Sequence, residues 1–264
     1  MTKKDDGAVE AFKRINWQYS SEDKKDGFPW GPHRLPVEVN FQGVSLTLQK
    51  HEGELIYHRE GVAGSNEKII LAEQGNLLLS PVEPFHTPSA LSTHLLVELE
   101  QPVVIEPRRT KSIIVTFPVE LAVVYFRRKT GGERILDIFT LNRTKYTLYG
   151  SIKSGLICKY WKSAVYPSIP PVNPIEQGLI KIELQNQGAR WAEVQKVLLG
   201  AQGMKIYYSP RLVGLQAMMK IGSEVTAETS FIDKPMQAGM KKALELFSAR
   251  FLSLPGRTVM EEGY

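Results

Sequence analysis

From Val37 to Phe231 the chain is a succession of short segments that alternate apolar with polar residues and are cut apart by Gly, Pro, Asn or Ser. Alternation with period two sends every second side chain to one face of an extended strand, and breaks this closely spaced exclude helices of ordinary length between the segments. Val37, Val39 and Phe41, followed across "QG" by Val44, Leu46 and Leu48, predict a β-hairpin. Segments such as "ELIYHR", "NLLLS", "SIIVTFP", "LAVVYFRR", "RILDIF", "GLIKIEL" and "LQAMMKI" continue the pattern. The expected fold is mainly β, either one antiparallel β-sandwich or two sandwich-like domains.

One helix is expected, in "DKPMQAGMKKALELFSARFLSLPG". Met236, Met240, Ala243, Leu244, Phe247 and Phe251 follow helical spacing, Asp233 is placed to cap, and Pro255-Gly256 ends the run. An amphipathic helix near 234–252 would cover an open sheet face. The organisation read from the sequence is therefore an extension over 1–36, a β-rich region over 37–231 with a candidate boundary near 107–140, and a helix and tail over 232–264. The 264 residues suffice for one large β domain or two smaller ones.

No apolar signal-like segment opens the chain, and no run approaches the roughly 18 apolar residues of a membrane helix. Cys158 is the sole cysteine, which rules out an internal disulfide and a cysteine-rich zinc site. A cytoplasmic protein without a transmembrane segment is expected. The net charge of +5 is unevenly sorted: residues 37–106 hold three basic and ten acidic side chains, and residues 107–162 hold twelve basic and three acidic ones. Such a basic block reads either as an anion-binding face or as strands that lie beside the acidic ones and neutralise them.

Inside the basic block, "KYTLYGSIKSGLICKYWKSAVY" interleaves lysines with aromatic residues. Lys145, Tyr149, Lys159, Trp161 and Lys162 are candidates for a shallow platform that stacks bases and neutralises phosphates, with Arg127, Arg128, Lys129 and Arg143 extending it. The aromatic signature of common RNA-binding sheets is missing. On a regular strand Leu156, Cys158 and Tyr160 share one face while Ile157, Lys159 and Trp161 share the other, so Lys159 does not activate Cys158.

The segment "LSPVEPFHTPSALSTHL" concentrates Pro81, Pro84 and Pro88 and reads as an irregular loop or edge. Glu83, His86 and His94 from this loop, with Glu120 from "FPVEL", are candidates to line a pocket. Phosphate loops, nucleophile elbows and metal-binding helices are absent from the sequence, so no catalytic residue, metal site or cofactor is assigned. "Pro-Val-Glu" recurs at unequal intervals and makes no repeat architecture.

Through "LLLSPVEPFHTP", "FPVELAVV", "ILDIFTLNRTKYTLYGSIKSGLICKYWKSAVY" and "GLIKIELQN", from about Val37 to about Phe231, the chain resembles a prokaryotic, largely archaeal family known as domain of unknown function four-three-two. The resemblance implies a β-rich cytoplasmic protein and supplies no activity, cofactor or site residues. Two functions stay open beside each other: a non-enzymatic module that binds an anionic ligand, nucleic acid or protein partner through its basic middle segment, and a small-molecule enzyme or receptor with a pocket near residues 80–94. Single-stranded RNA binding is a narrower form of the first.

Overall fold

The computed structural model describes residues 29–88, 91–127, 133–247 and 257–264, and in these the regular structure is all strand. The first strands in chain order are β1 (Gly31–Arg34), β2 (Val37–Phe41), β3 (Val44–His51), β4 (Glu54–Gly61), β5 (Asn66–Ile70) and β6 (Asn76–Val82). Then come β7 (His94–Ile105), β8 (Thr110–Pro118), β9 (Glu120–Phe126), β10 (Glu133–Phe139), β11 (Lys145–Tyr149) and β12 (Leu156–Ser163). The last are β13 (Gln177–Asn186), β14 (Ala192–Gly200), β15 (Tyr207–Ser209), β16 (Leu212–Ile221), β17 (Ala227–Ile232), β18 (Lys241–Lys242) and β19 (Arg257–Met260).

The predicted hairpin forms as β2 and β3, with Phe41 opposite Val44. Its two connecting residues, Gln42 and Gly43, have φ of 47° and 73°, the left-handed pair that matches the twist of the flanking strands. The same device at Glu52 and Gly53 joins β3 to β4, and β5 completes a meander sheet ordered β2-β3-β4-β5. A junction sheet is ordered β1-β6-β9-β10, and a hairpin sheet is ordered β11-β12-β7-β14. The largest sheet runs β18-β15-β16-β13-β8, with β17 on β16 and β19 on β17. Most pairs are antiparallel, while β12 with β7 and β13 with β16 are parallel.

The hairpin and large sheets meet along both margins. On one side Ile114 bridges Tyr166, and the Thr116 N–H donates to Ser163 Oγ at 2.8 Å. On the other, the Thr229 hydroxyl donates to the Leu198 carbonyl at 2.6 Å, and the Gly200 N–H donates to Thr258 Oγ1 at 3.0 Å. One apolar cluster runs through all four sheets, with Leu46 and Tyr57, Leu77 and Val123, Leu95 and Val97, and Ile180 and Leu215 among its members. The junction sheet is buried on both faces, because Leu78, Val82, Ala122 and Val124 form a second cluster on its far side. This is why β6 and β9 read as nearly continuous apolar runs.

The expected helix does not form over its described part, residues 233–247. Its backbone donors are taken by distant partners: Ala243 N–H by the Ile206 carbonyl, Leu244 N–H by Ser80 Oγ, and the N–H groups of Leu246 and Phe247 by the Glu83 carboxylate. Ala243 joins the main cluster and its neighbour Leu244 the second one, the alternation of an extended chain. Long-range acceptors thus outcompete helix propensity, which is a weak preference. Phe251 lies outside the described residues.

Pro81 lies within β6, opposite Leu121, and meets the edge alternative of the expected loop or edge. β1 pairs only with Asn76–Leu79, so Pro81 has a single neighbouring strand, the kind of position at which a strand tolerates proline.

The meander and junction sheets are bolted together by a buried charge. A register shift in β10 between Ile135 and Asp137 leaves Leu136 and Asp137 both buried, which turns the Asp137 carboxylate toward β4. There it accepts from Arg59 Nε at 2.6 Å and from the Tyr57 hydroxyl at 2.9 Å. Arg59 also donates to the carbonyls of Ala63 and Gly64 and lies 4.5 Å from the Phe139 ring centroid. Burial, and then the Asp137 charge, push the Tyr57 phenol far above its usual range. Removing one member strands the other charge in the core, so Asp137→Ala is expected to cost about 3–5 kcal/mol, read from the shift of a urea unfolding midpoint. Arg59→Met with Asp137→Leu is expected to lose less than the single change, because no lone charge stays buried.

Candidate functional site

β8 hands the chain to β9 across a single residue, Val119, so "FPVEL" is the crossover from the large sheet to the junction sheet. Glu120 opens β9 at this crossover with no exposed surface, and β12 brings Lys159, 3% exposed, against it. Lys159 Nζ lies 2.6 Å from Glu120 Oε1 and donates to the Thr87 carbonyl at 3.2 Å. The other donors on the Glu120 carboxylate are the backbone N–H groups of His86, at 2.8 Å, and Thr87, at 3.3 Å. One ion pair therefore holds both the N–H and the C=O of Thr87.

Glu83, also buried, does the same for the C-terminal region. Its carboxylate accepts from the Leu246 and Phe247 N–H groups at 3.3 and 3.4 Å and stands 3.4 Å from His86 Nε2. Phe247 packs its ring against Phe85 and His86, with centroid separations of 6.1 and 5.7 Å. Glu83, His86 and Glu120 are thus brought into one neighbourhood, as the loop reading anticipates, and Lys159 joins them from the other candidate group. His94 does not. It neighbours Leu95, the register partner of Lys159, so its side chain leaves the opposite face of the sheet. Its ring sits beside Thr93 Oγ1, and burial lowers its pKa.

The loop neighbourhood is saturated. Both carboxylates already accept backbone or ammonium hydrogens, and among the described residues no three His, Cys, Asp or Glu side chains converge to hold a metal ion. What this arrangement does chemically is join the 83–87 loop, β9, β12 and residues 244–247.

The basic candidates divide by strand register. Lys145 pairs with Tyr160 and Tyr149 with Leu156, while Tyr160 pairs with Leu96 and Lys162 with Glu98. Glu98 pairs in turn with Lys196 of β14. Cross-strand partners share a face, so Lys145, Tyr160, Lys162 and Lys196 stand together, with Glu98 between two of the lysines. Lys145 and Lys162 are exposed. Lys196, missed by the sequence grouping because it lies outside the basic block, reaches to 5.5 Å from the Tyr149 ring centroid.

Three other candidates are not available to a partner in the way the platform requires. Tyr149 is buried and donates its hydroxyl to the Gly263 carbonyl at 3.0 Å. Lys159 is committed to Glu120, and Trp161, on the same face as Lys159, donates Nε1–H to Thr116 Oγ1 at 2.9 Å. Arg127 follows β9 and Arg143 precedes β11, both exposed. Arg128 and Lys129 lie outside the described residues.

The acidic block does not lie alongside this face as a whole. Its strands β2 to β5 pair only with one another. β6, which has no charged residue, pairs with β9, and β7 brings Glu98 beside Lys162 and Lys196. Mutual neutralisation of the two blocks across a sheet is met at that one row.

Cys158 is fully buried, and burial pushes its thiol up to about 11. At pH 8 roughly one thiol in a thousand is ionised, so Ellman's reagent is expected to label Cys158 only as fast as the protein unfolds. Stopped-flow absorbance in native buffer and in urea checks this. Glu120→Ala leaves the Lys159 ammonium buried without its partner and is expected to destabilise by about 3–5 kcal/mol in urea denaturation, with Glu120→Leu/Lys159→Met closer to the parent protein.

Among curated proteins no sequence matches the chain, and among solved structures none matches. A family model described as "Protein of unknown function (DUF432)" matches residues 29–261. This span is wider at both ends than the Val37 to Phe231 resemblance. It takes in β1 and β19 and hence strands of every sheet, including the crossover at Val119 and the groups gathered round Thr87. The chain belongs to the DUF432 family.

Proposed function

We propose that this protein is a non-enzymatic interaction module that engages an anionic partner through the face carrying Lys145, Tyr160, Lys162 and Lys196. The observation that carries the reading is the register that collects three lysines and a tyrosine from β11, β12 and β14 on one face, with Glu98 between two of the lysines. Tyr160 hydrogen-bonds Glu98, and this contact, after burial, contributes to the raised phenol pKa. Part of the Glu98 charge is thereby engaged within the row, and Lys145 and Lys162 stay open to solvent. An enzyme or receptor at residues 80–94 has less support, because Glu83, Glu120 and Lys159 already satisfy one another and the backbone. No described helix is long and apolar enough to cross a membrane. A buried free thiol suits a reducing cytoplasm.

The partner class is tested with single-stranded RNA and heparin in salt titrations. Affinity is expected to fall as salt rises, and Lys145→Glu with Lys162→Glu to lower the slope of log affinity against log salt by about two. Lys50→Glu with Lys111→Glu, exposed lysines on other strands, serves as the control. Equal losses in both double variants would leave only a diffuse effect of net charge and overturn the assignment to this face.

A further inference from the structure

The same hairpin that contributes Lys145, Tyr160 and Lys162 also ends in an apolar tip. Ile152 is 95% exposed in the turn between β11 and β12, with Ile157 at 53%, Leu148 at 40% and Leu156 at 39% just behind it. Leu148 and Ile157 are register partners and share a face. Leu91, also exposed, adjoins them through Ser92, whose hydroxyl donates to the Ile157 carbonyl at 2.6 Å. Exposed apolar side chains gathered at one end of a hairpin in this way mark a surface to be covered.

Shape and charge together say what covers it. Ile152 sits 95% exposed in the turn that ends the hairpin, so a partner must surround it rather than receive a flat face. Stepping back from that tip, Tyr146 follows Leu148 on one face, and Tyr160 lies opposite Lys145 on the other, with Lys162 beyond it. Leu148 and Lys145 are three residues apart, roughly 10 Å along a strand. Behind the apolar tip come Tyr146 and then the row shared by Tyr160 and Lys145, with Lys162 farther on, a sequence that puts hydrocarbon contacts ahead of interface and phosphate contacts in an anionic bilayer leaflet. Lys153, beside Ile152, has a stem long enough to return its ammonium to the headgroups. The C-terminal tail borders the other side, where Glu262 packs against Gly150, so insertion runs from Ile152 over the Leu148 and Ile157 face.

We infer that the β11–β12 hairpin is a membrane-surface anchor, which inserts Ile152, Leu148 and Ile157 at the acyl boundary of an anionic bilayer while Lys145, Lys153 and Lys162 meet the lipid phosphates. This rests on the reading of the Lys145 face as an anion-binding surface and names its partner. Binding of this type needs both signals, since neither a few apolar side chains nor a few lysines holds a protein to a bilayer alone.

Vesicles of phosphatidylcholine with and without phosphatidylserine, sedimented with the full chain, test it, with single-stranded RNA titrated in parallel. The full chain is expected to bind the phosphatidylserine vesicles and not the neutral ones. Ile152→Ser with Ile157→Ser, both at exposed positions, is expected to weaken vesicle binding about tenfold or more while leaving RNA affinity unchanged. Lys145→Glu with Lys162→Glu is expected to weaken both. Protection of Cys158 from Ellman's reagent reports that each variant is folded. Lysine-dependent RNA binding without vesicle binding, or vesicle binding indifferent to the isoleucine changes, would overturn the membrane anchor and leave the anion-binding face standing. Failure of the full chain to bind RNA, heparin or charged vesicles would remove both.

Discussion

The ion pair between Glu120 and Lys159 is the contact on which the arrangement of sheets depends. Two charges removed from water are costly to bury, and the cost is offset only where the remaining lone pairs and protons find partners. Here those partners are the N–H groups of His86 and Thr87 and the Thr87 carbonyl. The pair does more than tie β9 to β12, because it makes the position of a loop part of the solution to its own desolvation. Glu83 repeats the arrangement toward Leu246 and Phe247, so the carboxylates of one loop neighbourhood orient backbone from two distant parts of the chain.

Strand segments were legible in the sequence because alternation is a local property. Val37 to Leu48, "NLLLS" and "GLICKYW" each carry their faces with them, and the separation of Lys159 from Cys158 follows from period two alone. What could not be read locally was which faces would be covered. Lys159 looks like any solvated lysine until the sheet is known to pack on Glu120. The 233–247 segment has helical spacing and even a cap, yet its donors answer to Ile206, Ser80 and Glu83, acceptors as far as 164 residues away. Among the pocket candidates, Glu83, His86 and Glu120 could be grouped through the prolines around them, whereas His94 was separated from them by strand parity that only the register of β7 discloses.

Sorting of charge along the chain acquires a spatial meaning in the sheet order. A meander of consecutive strands keeps its residues to itself, and so β2 to β5 carry most of the acidic block away from the basic hairpin. Within its own sheet the basic hairpin meets that block through β7, whose Glu98 lies beside Lys162. A surface with a definite sign can therefore persist on a protein whose overall charge is only +5.

The crossover at Val119 bears on how the chain is assembled as it leaves the ribosome. β6 must wait for β9, some forty residues later, before its second edge is paired, and the order of segments alternates between the junction sheet and its neighbours rather than finishing one before starting the next. Ser80 and Glu83 wait longer still, until residues 244–247 have been synthesised. Between synthesis of β9 and that of residues 244–247 the nascent protein thus carries a doubly apolar sheet without its C-terminal contacts and a carboxylate without its acceptor role fulfilled. Such an intermediate is the form on which chaperone capture or aggregation acts, and the meander, closed by local turns, is the part able to fold ahead of it.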